Sequence, residues 1–269
     1  MPTNRLCIAD LHTHTNRSLC APQSTTVASY LPHCAAEGIR TLGISNHIYK
    51  PSVLNCQHPE NIAYALAVRE EIEALRPQTD VNLLLGCEVE IFYGQEPGIQ
   101  KEEAAAFDYV LIAASHIFNF AHEYAHIDLS TPEKARNMLL NRFIYACEVD
   151  FDAPVGICHP LYPLCAPWEQ EIVDGITYSQ LKDCFTLAAE RERSIEIHAC
   201  LYRNGTQLND EGLSPSYLRL LSVAKECGCK FHFGADAHAP GAFVGYHAKL
   251  ERAAEIIGIT KDDLWDIAK

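Results

Sequence analysis

A parallel α/β barrel of seven strands, distorted or closed and built as one domain over residues 1–269, is the fold this sequence predicts. Apolar, β-rich runs alternate with helix-patterned segments from end to end, the order that makes a parallel sheet covered by helices. The length of 269 residues is long enough to bury a large core and is common for single-domain barrels of this class. Nearly every strand candidate ends in a histidine or a carboxylate. In a parallel barrel those ends open on one face, where active sites are found.

The strand candidates are residues 5–10 (RLCIAD), 40–45 (RTLGIS), 81–87 (VNLLLGC), 108–115 (DYVLIAAS), 154–158 (PVGIC), 194–198 (SIEIH) and 229–235 (CKFHFGA). Helical spacing and start signals fall between them. They mark 25–37, 59–76 opening at Pro59, 131–148 opening at Thr131 and Pro132, 177–192, 213–227 and 246–257. The longest irregular stretch, 159–176, carries Pro160, Pro163, Pro167 and Gly175 and suits a loop over the active face. No internal repeat, low-complexity tract or flexible linker interrupts the pattern.

Composition narrows the function classes. The chain is 48% hydrophobic and 21% charged, with no apolar run long enough to span a bilayer, so no membrane partner is expected. Lys and Arg number 21 against 35 Asp and Glu, a formal charge of −14. That surface repels a phosphate backbone and argues against nucleic acid as a partner, although bound cations can reverse the potential locally for a small anion. The start MPTNRLCIADLH lacks an apolar signal core and a cleavage site, so a cytoplasmic location is expected. The twelve cysteines are scattered without a Cys-x-x-Cys pair, and most read as reduced core thiols. Cys227 and Cys229, around Gly228 at a helix end, read as packing.

The strand ends carry the chemistry. Strand one runs into Asp10-Leu11-His12-Thr13-His14, strand two into Asn46-His47, strand three into Glu88, strand four into His116, strand five into His159 and strand seven into Asp236-Ala237-His238. Residues two apart on an extended chain share a face, so His12 and His14 project together, as do Asp236 and His238. Imidazole and carboxylate suit borderline divalent metals, and a carboxylate such as Glu88 can bridge two ions. Structural histidines placed independently would not all fall at the same end of successive strands. The set can hold two or three ions of zinc, manganese or iron.

These residues resemble the polymerase and histidinol phosphatase (PHP) family of metal-dependent phosphoesterases. The matching pieces are DLHTHT at 10–15, GIRTLGISNH at 38–47, GCEVE at 86–90, ASH at 114–116, GICHP at 156–160 and GADAH at 234–238, in the family's order. The resemblance implies a distorted seven-stranded barrel with up to three metals. It places His12, His14, Glu88 and Asp236 at one metal, Glu88, His116 and His159 at a second, and His47 and His238 at a third. Two positions depart from the pattern. Cys20 stands where the third metal often has a His or Asp ligand, and is either a soft ligand or an ordinary loop thiol. Asn46 stands where many members have Asp, which removes a charge beside His47.

Glu196 and His198 share a face at the end of strand six. His198 is either a proton donor or substrate contact, or a hydrogen-bonding residue behind the ligands. Arg203, in LYRNG, has the planar fork that suits phosphate oxygens, with a solvated loop arginine as the competing reading. His232 lies four residues deeper than Asp236 and reads as barrel interior or as a residue behind the ligands, and His33, His58 and His247 carry no assigned chemistry. The pentad HEYAH at 122–126 matches the His-Glu-x-x-His pattern of zinc proteases, but it has too few turns before Thr131 and no convincing third ligand. It reads as a loop after strand four, with His122 or His126 placed to touch substrate.

The expected reaction is hydrolysis of a phosphoester, with Glu88 central, Arg203 fixing the phosphate and His198 protonating the leaving oxygen. The missing basic surface favours a small phosphomonoester. Histidinol phosphate is the example that the resemblance implies. Rival readings are a phosphodiesterase or exonuclease on short nucleotides, an amidohydrolase-type barrel, and a regulatory protein that keeps metals without turnover. Amidohydrolase barrels usually have eight strands and a bridging lysine after strand four, where this chain reads ASHIF.

Overall fold

All seven expected runs become strands, and they pair in parallel in strict chain order. They are β1 (Ala9–Thr13), β2 (Thr41–Ile48), β3 (Asn82–Glu90), β4 (Tyr109–Ala113), β5 (Val155–Cys158), β6 (Ser194–His198) and β7 (Phe231–Gly234). The computed structural model describes residues 5–49, 61–91, 97–117, 128–164, 166–198, 209 and 212–269. The strands form a nearly closed barrel with the helices outside. The helices are α1 (Val27–Glu37), α2 (Ile62–Leu66), α3 (Arg69–Leu75), α4 (Pro132–Glu148), α5 (Glu169–Asp174), α6 (Tyr178–Glu190), α7 (Pro215–Glu226) and α8 (Tyr246–Ile256). No helix among the described residues is long and apolar enough to cross a membrane.

Local chemistry explains the helix starts. Thr26 with Ser29 and Thr177 with Gln180 form reciprocal capping boxes at α1 and α6. Thr131 caps α4 by accepting from the Lys134 amide, and Pro132 occupies the first turn, where its missing N–H is no loss. Helical periodicity then aims one stripe inward. On α6 the buried residues are Leu181, Cys184, Phe185 and Ala188, and each large apolar side chain so buried is worth about 1.5–3 kcal/mol.

Three details differ from the expectations. β1 begins at Ala9, so His12 lies within the strand. The run 59–76 is broken at Ala67 and Val68 into α2 and α3, with Val68 turned into the core. The stretch 159–176 contains α5, whose Ile172 and Val173 pack inward despite the prolines before it.

Two cores result. A large one fills the space between strands and helices, and a smaller one, with Ala9, Leu11, Tyr109, Leu111, Ala113, Cys158 and Trp265, plugs the barrel interior. Tyr109 is fully buried across that interior and its hydroxyl donates to the Leu11 carbonyl at 2.6 Å. Trp265 closes the lower end, its amide donating to the Phe231 carbonyl at 2.8 Å.

The β1/β7 seam closes the barrel through few backbone contacts, chiefly a bridge between Thr13 and Ala237 and the His14 amide donating to Ala237 at 2.9 Å. Side chains complete it. The Asp10 carboxylate accepts from the Ala235 amide at 3.1 Å and from His247 Nε2 of α8 at 2.7 Å, while the Tyr30 hydroxyl of α1 lies 2.9 Å from the His14 and Ala237 carbonyls. Both Asp10 and His247 are fully buried, which gives His247 the structural role that the sequence left open.

Room for Tyr109 comes from glycine. A Cβ on Gly86 would fall 2.2 Å from the Tyr109 ring, and one on Gly43 would fall 2.0 Å from its hydroxyl. Gly86→Ala is therefore expected to destabilise the fold by about 1–3 kcal/mol through overpacking, read as a lower urea midpoint. Gly241→Ala, whose added Cβ meets nothing within 4 Å, is the control and should stay within about 0.5 kcal/mol of the parent.

Candidate metal centre

Parallel strands bring their C-terminal ends to one mouth, and the interior face there is polar where the face below is apolar. At the end of β1, where the register shifts between Asp10 and Thr13, His12 and His14 turn to that face, two residues apart, while Asp10 points outward to His247 of α8. Both histidine rings are fully buried, with centroids 5.1 Å apart. His12 Nδ1 meets Glu196 Oε1 at 2.7 Å, and His14 Nδ1 meets Ser18 Oγ at 3.1 Å. Each ring therefore directs Nε2 into the mouth.

Glu88, 1% exposed at the end of β3, is the point on which they converge. Its Oε2 lies 2.7 Å from His47 Nδ1, 3.3 Å from His12 Nε2 and 3.4 Å from His14 Nε2, while its Oε1 lies 2.9 Å from His159 Nε2. Asp236 makes the second focus. Its Oδ1 stands 3.1 Å from His14 Nε2 and 3.6 Å from His12 Nε2, and its Oδ2 stands 3.4 Å from His198 Nε2.

Two of these groups reach the mouth through left-handed backbone. His159 has φ 32° and Asp236 has φ 49°, conformations that cost non-glycine residues about 1–3 kcal/mol. The turn at His159 lets two consecutive residues face inward, since Cys158 Sγ also lies 3.5 Å from Glu88 Oε1. Strand alternation alone would send one of them outward. Glu196 braces the turn by accepting from the His159 amide at 2.6 Å as well as from His12. Gly234 leaves space for this pair, because a Cβ there would sit 2.0 Å from Glu196 Oε1 and 2.6 Å from His12 Cβ.

The donor set fits cations. His12 Nε2, His14 Nε2 and Glu88 Oε2 are buried without an aligned hydrogen bond. With Nδ1–H of His12 committed to Glu196, a neutral ring turns a lone pair toward the Glu88 and Asp236 oxygens, an arrangement that a cation or a proton between them relieves. Among the described residues, three groups each offer ligand atoms within 4.8 Å of one another: His12, Glu88, Cys158 and His159; His14, His47 and His238; and His12, His198 and Asp236.

Charge is distributed unevenly over these rings. Burial pushes the His12 imidazole down, but the carboxylates of Glu196, Glu88 and Asp236 outweigh it and hold the ring well above its ordinary value. His47 rises in the same way, burial being outweighed by Glu88 and Cys20. His14 is held well below by burial and by the neighbouring His238 and His47, and burial takes His159 down to about 4. Burial raises the Glu196 carboxyl, yet His12 and His198 bring it down to about 2.

The sequence expectations fall on the structure as follows. His12, His14, His47, Glu88, His159, Asp236 and His238 come together at the mouth. His198 joins them through Asp236. His116 stands beside His159, ring centroids 4.7 Å apart, outside the three groups. Cys20 contacts His238 and His47, whose hydrogen bonds and charge overcome its desolvation and lower the thiol to about 7. His232 lies in the interior as expected, fully buried, with Nδ1 2.8 Å from Ser194 Oγ. Asn46 ties down the loop after β1, its Oδ1 accepting from the Thr15 amide at 2.8 Å and from Ser18 Oγ at 3.0 Å. His122, His126 and Arg203, with the whole HEYAH pentad, lie outside the described residues. The nine described cysteines are all free.

Sequence reading missed Cys158, Ser115, which lies 2.5 Å from His159 Nδ1, and the part played by Glu196 in holding His12. The signal for Glu196 was its parity with His198. Cys158 shares the inward parity of Gly156 on β5, and the turn after it brings His159 to the same side.

No protein-family model and no curated protein matches this chain. Solved structures do match. The histidinol phosphate phosphatase of Lactococcus lactis, crystallised with zinc, L-histidinol and phosphate, superposes with a TM-score of 0.65 at 16% identity, covering 96% of this chain and 95% of that one. A candidate histidinol phosphatase of Listeria monocytogenes superposes with a TM-score of 0.62 at 12% identity, over 90% of this chain and 99% of that one. At such identities the likeness establishes the shared barrel fold.

Because His12 and His47 are held above the ordinary imidazole value of 6.5, they carry protons at neutral pH until an ion takes the lone pair. Zn²⁺ or Mn²⁺ loading is expected to release protons, and affinity to fall as pH drops from above 6.5. Calorimetric titration in buffers of different protonation enthalpy measures both. Ion binding with no proton uptake by buffer would contradict this distribution of charge.

Proposed function

We propose that this protein is a metal-dependent phosphoester hydrolase acting on a small phosphomonoester of the histidinol phosphate kind. The observation that carries the reading is the buried donor cluster around Glu88, with lone pairs aimed inward at the mouth of a barrel shared with a zinc-containing histidinol phosphate phosphatase. The surplus of acidic residues disfavours a polyanionic chain as substrate and supports a small one whose phosphate is neutralised locally.

His12, His14, Glu88 and Asp236 would hold one ion, Glu88, His116 and His159 a second, and His47, His238 and Cys20 a third. Divalent cations at such groups, when bound, supply Lewis-acid stabilisation of phosphoryl charge and make water acidic enough to attack near neutral pH. The chain's own contribution is orientation. Glu196 fixes the His12 tautomer from Nδ1, Ser115 orients His159, and the left-handed turns set His159 and Asp236 against the ends of β3 and β1. His198, through Nε2 beside Asp236, is the group we assign to protonate the departing alkoxide. Arg203 is assigned to grip the phosphate with its guanidinium fork, and His122 and His126 to contact the rest of the substrate.

The test is phosphate release from a panel of phosphomonoesters and diesters by protein supplied with Zn²⁺ or Mn²⁺. Turnover on monoesters is expected, with loss after chelation and recovery on adding metal back. His159→Ala and Glu88→Ala should each lower kcat by at least about 100-fold, the scale for losing a group that supports transition-state charge. Full activity of Glu88→Ala would sink the scheme, and preferential cleavage of diesters would move the substrate to short nucleotides.

A further inference from the structure

Among the described residues, Arg142 is the largest fully buried side chain, and it comes from a helix outside the barrel. It occupies the inward stripe of α4 with Ala135, Leu139, Phe143 and Ala146, where an apolar residue would be expected. Its guanidinium bonds the Glu90 carboxylate and the Ile91 carbonyl and lies 3.3 Å from the Ala113 carbonyl. Glu90, at the end of β3, is itself 2% exposed, and its other oxygen stands 2.6 Å from His116 Nδ1. Burying a guanidinium and a carboxylate costs several kcal/mol for each ion before pairing, and well-packed apolar residues of similar volume often do as well or better. Stability alone therefore does not account for the pair. What the charges do accomplish is to dictate one ring nitrogen of His116.

We propose that Glu90 and Arg142 are positioning residues that fix His116 with its proton on Nδ1, so that Nε2 is offered as a lone-pair donor to a divalent cation at the barrel mouth. The carboxylate accepts the Nδ1 proton, and the arginine holds that carboxylate in place. The His116 ring lies 4.7 Å from that of His159, whose own Nε2 contacts Glu88, so the oriented nitrogen belongs to the same mouth. This arrangement accounts for a charged residue on the buried stripe of α4. The inference rests on the reading that the mouth binds divalent cations.

The experiment uses the full chain as wild type, Glu90→Gln, Arg142→Lys and the Glu90→Gln/Arg142→Met double variant. Co²⁺ and Zn²⁺ affinity is measured by chelator competition, together with the metal-to-protein ratio, the visible Co²⁺ spectrum and a thermal melt. Glu90→Gln is near-isosteric and should melt cooperatively, yet bind one ion about 10–100-fold more weakly and with an altered Co²⁺ spectrum. Arg142→Lys, which keeps the charge, should lie nearer to wild type than the double variant. A purely structural ion pair would move the melt and leave the affinity and spectrum alone. Folded Glu90→Gln with wild-type affinity and spectrum would overturn the proposal, as would a wild-type chain that binds no divalent ion. Weakened binding in a chain that releases no phosphate from any ester would support it while removing the hydrolase reading.

Discussion

A carboxylate closed off from water must be met by positive charge or by hydrogen-bond donors, and Glu88 imposes that demand on the whole mouth of the barrel. Burial pushes its carboxyl up, but His47 and His12 hold it well below the usual range. Imidazoles from β1, β2 and the turn after β5 all approach its two oxygens, so the strand register there cannot slip without stranding the charge. His47 pairs directly with Glu88 across the β2/β3 ladder, which makes the register and the site one constraint. A one-residue slip of β3 would turn Glu88 to the outer face.

The same demand recurs for Asp10, Asp236, Glu196 and Glu90, each buried or nearly so, and each is answered differently. Asp10 is satisfied by backbone amides and His247, and it holds the β1/β7 seam where regular pairing is thin. Glu196 is satisfied by His12 and the His159 amide, and Glu90 by Arg142 and His116. Glu196 and Glu90 stand behind the rings of His12 and His116 and decide which nitrogen of each points inward. Glu88 and Asp236 lie among the inward nitrogens themselves. The division gives an outer layer that orients and an inner layer available for binding, as metal centres require.

Packing below the mouth makes that polar layer affordable in volume. Tyr109, Leu111 and Trp265 fill the interior, and Gly43, Gly86 and Gly156 leave space for Tyr109 and His232. The left-handed residues His159 and Asp236 are then over-determined by their neighbours, which is how backbone strain persists at a binding site.

The barrel and most of the candidate cluster were legible in the sequence, because both rest on short-range rules. Strand and helix periods, Thr caps and the two-residue repeat of side chains along a strand need only neighbours in the chain. They located His12, His14, Glu88, Asp236 and the mouth on which these converge. The break between α2 and α3 and the short α5 were not legible, since burial of Val68 and Ile172 against distant strands decided them. Nor were Glu196 behind His12, Arg142 behind Glu90, or Cys158 beside His159. The sequence determined which residues carry charge and toward which face a strand directs them. Only the tertiary structure decided which nitrogen, which oxygen and which left-handed turn meet, because pairings across 44 residues between Ser115 and His159, or 184 between His12 and Glu196, depend on barrel closure and not on local spacing.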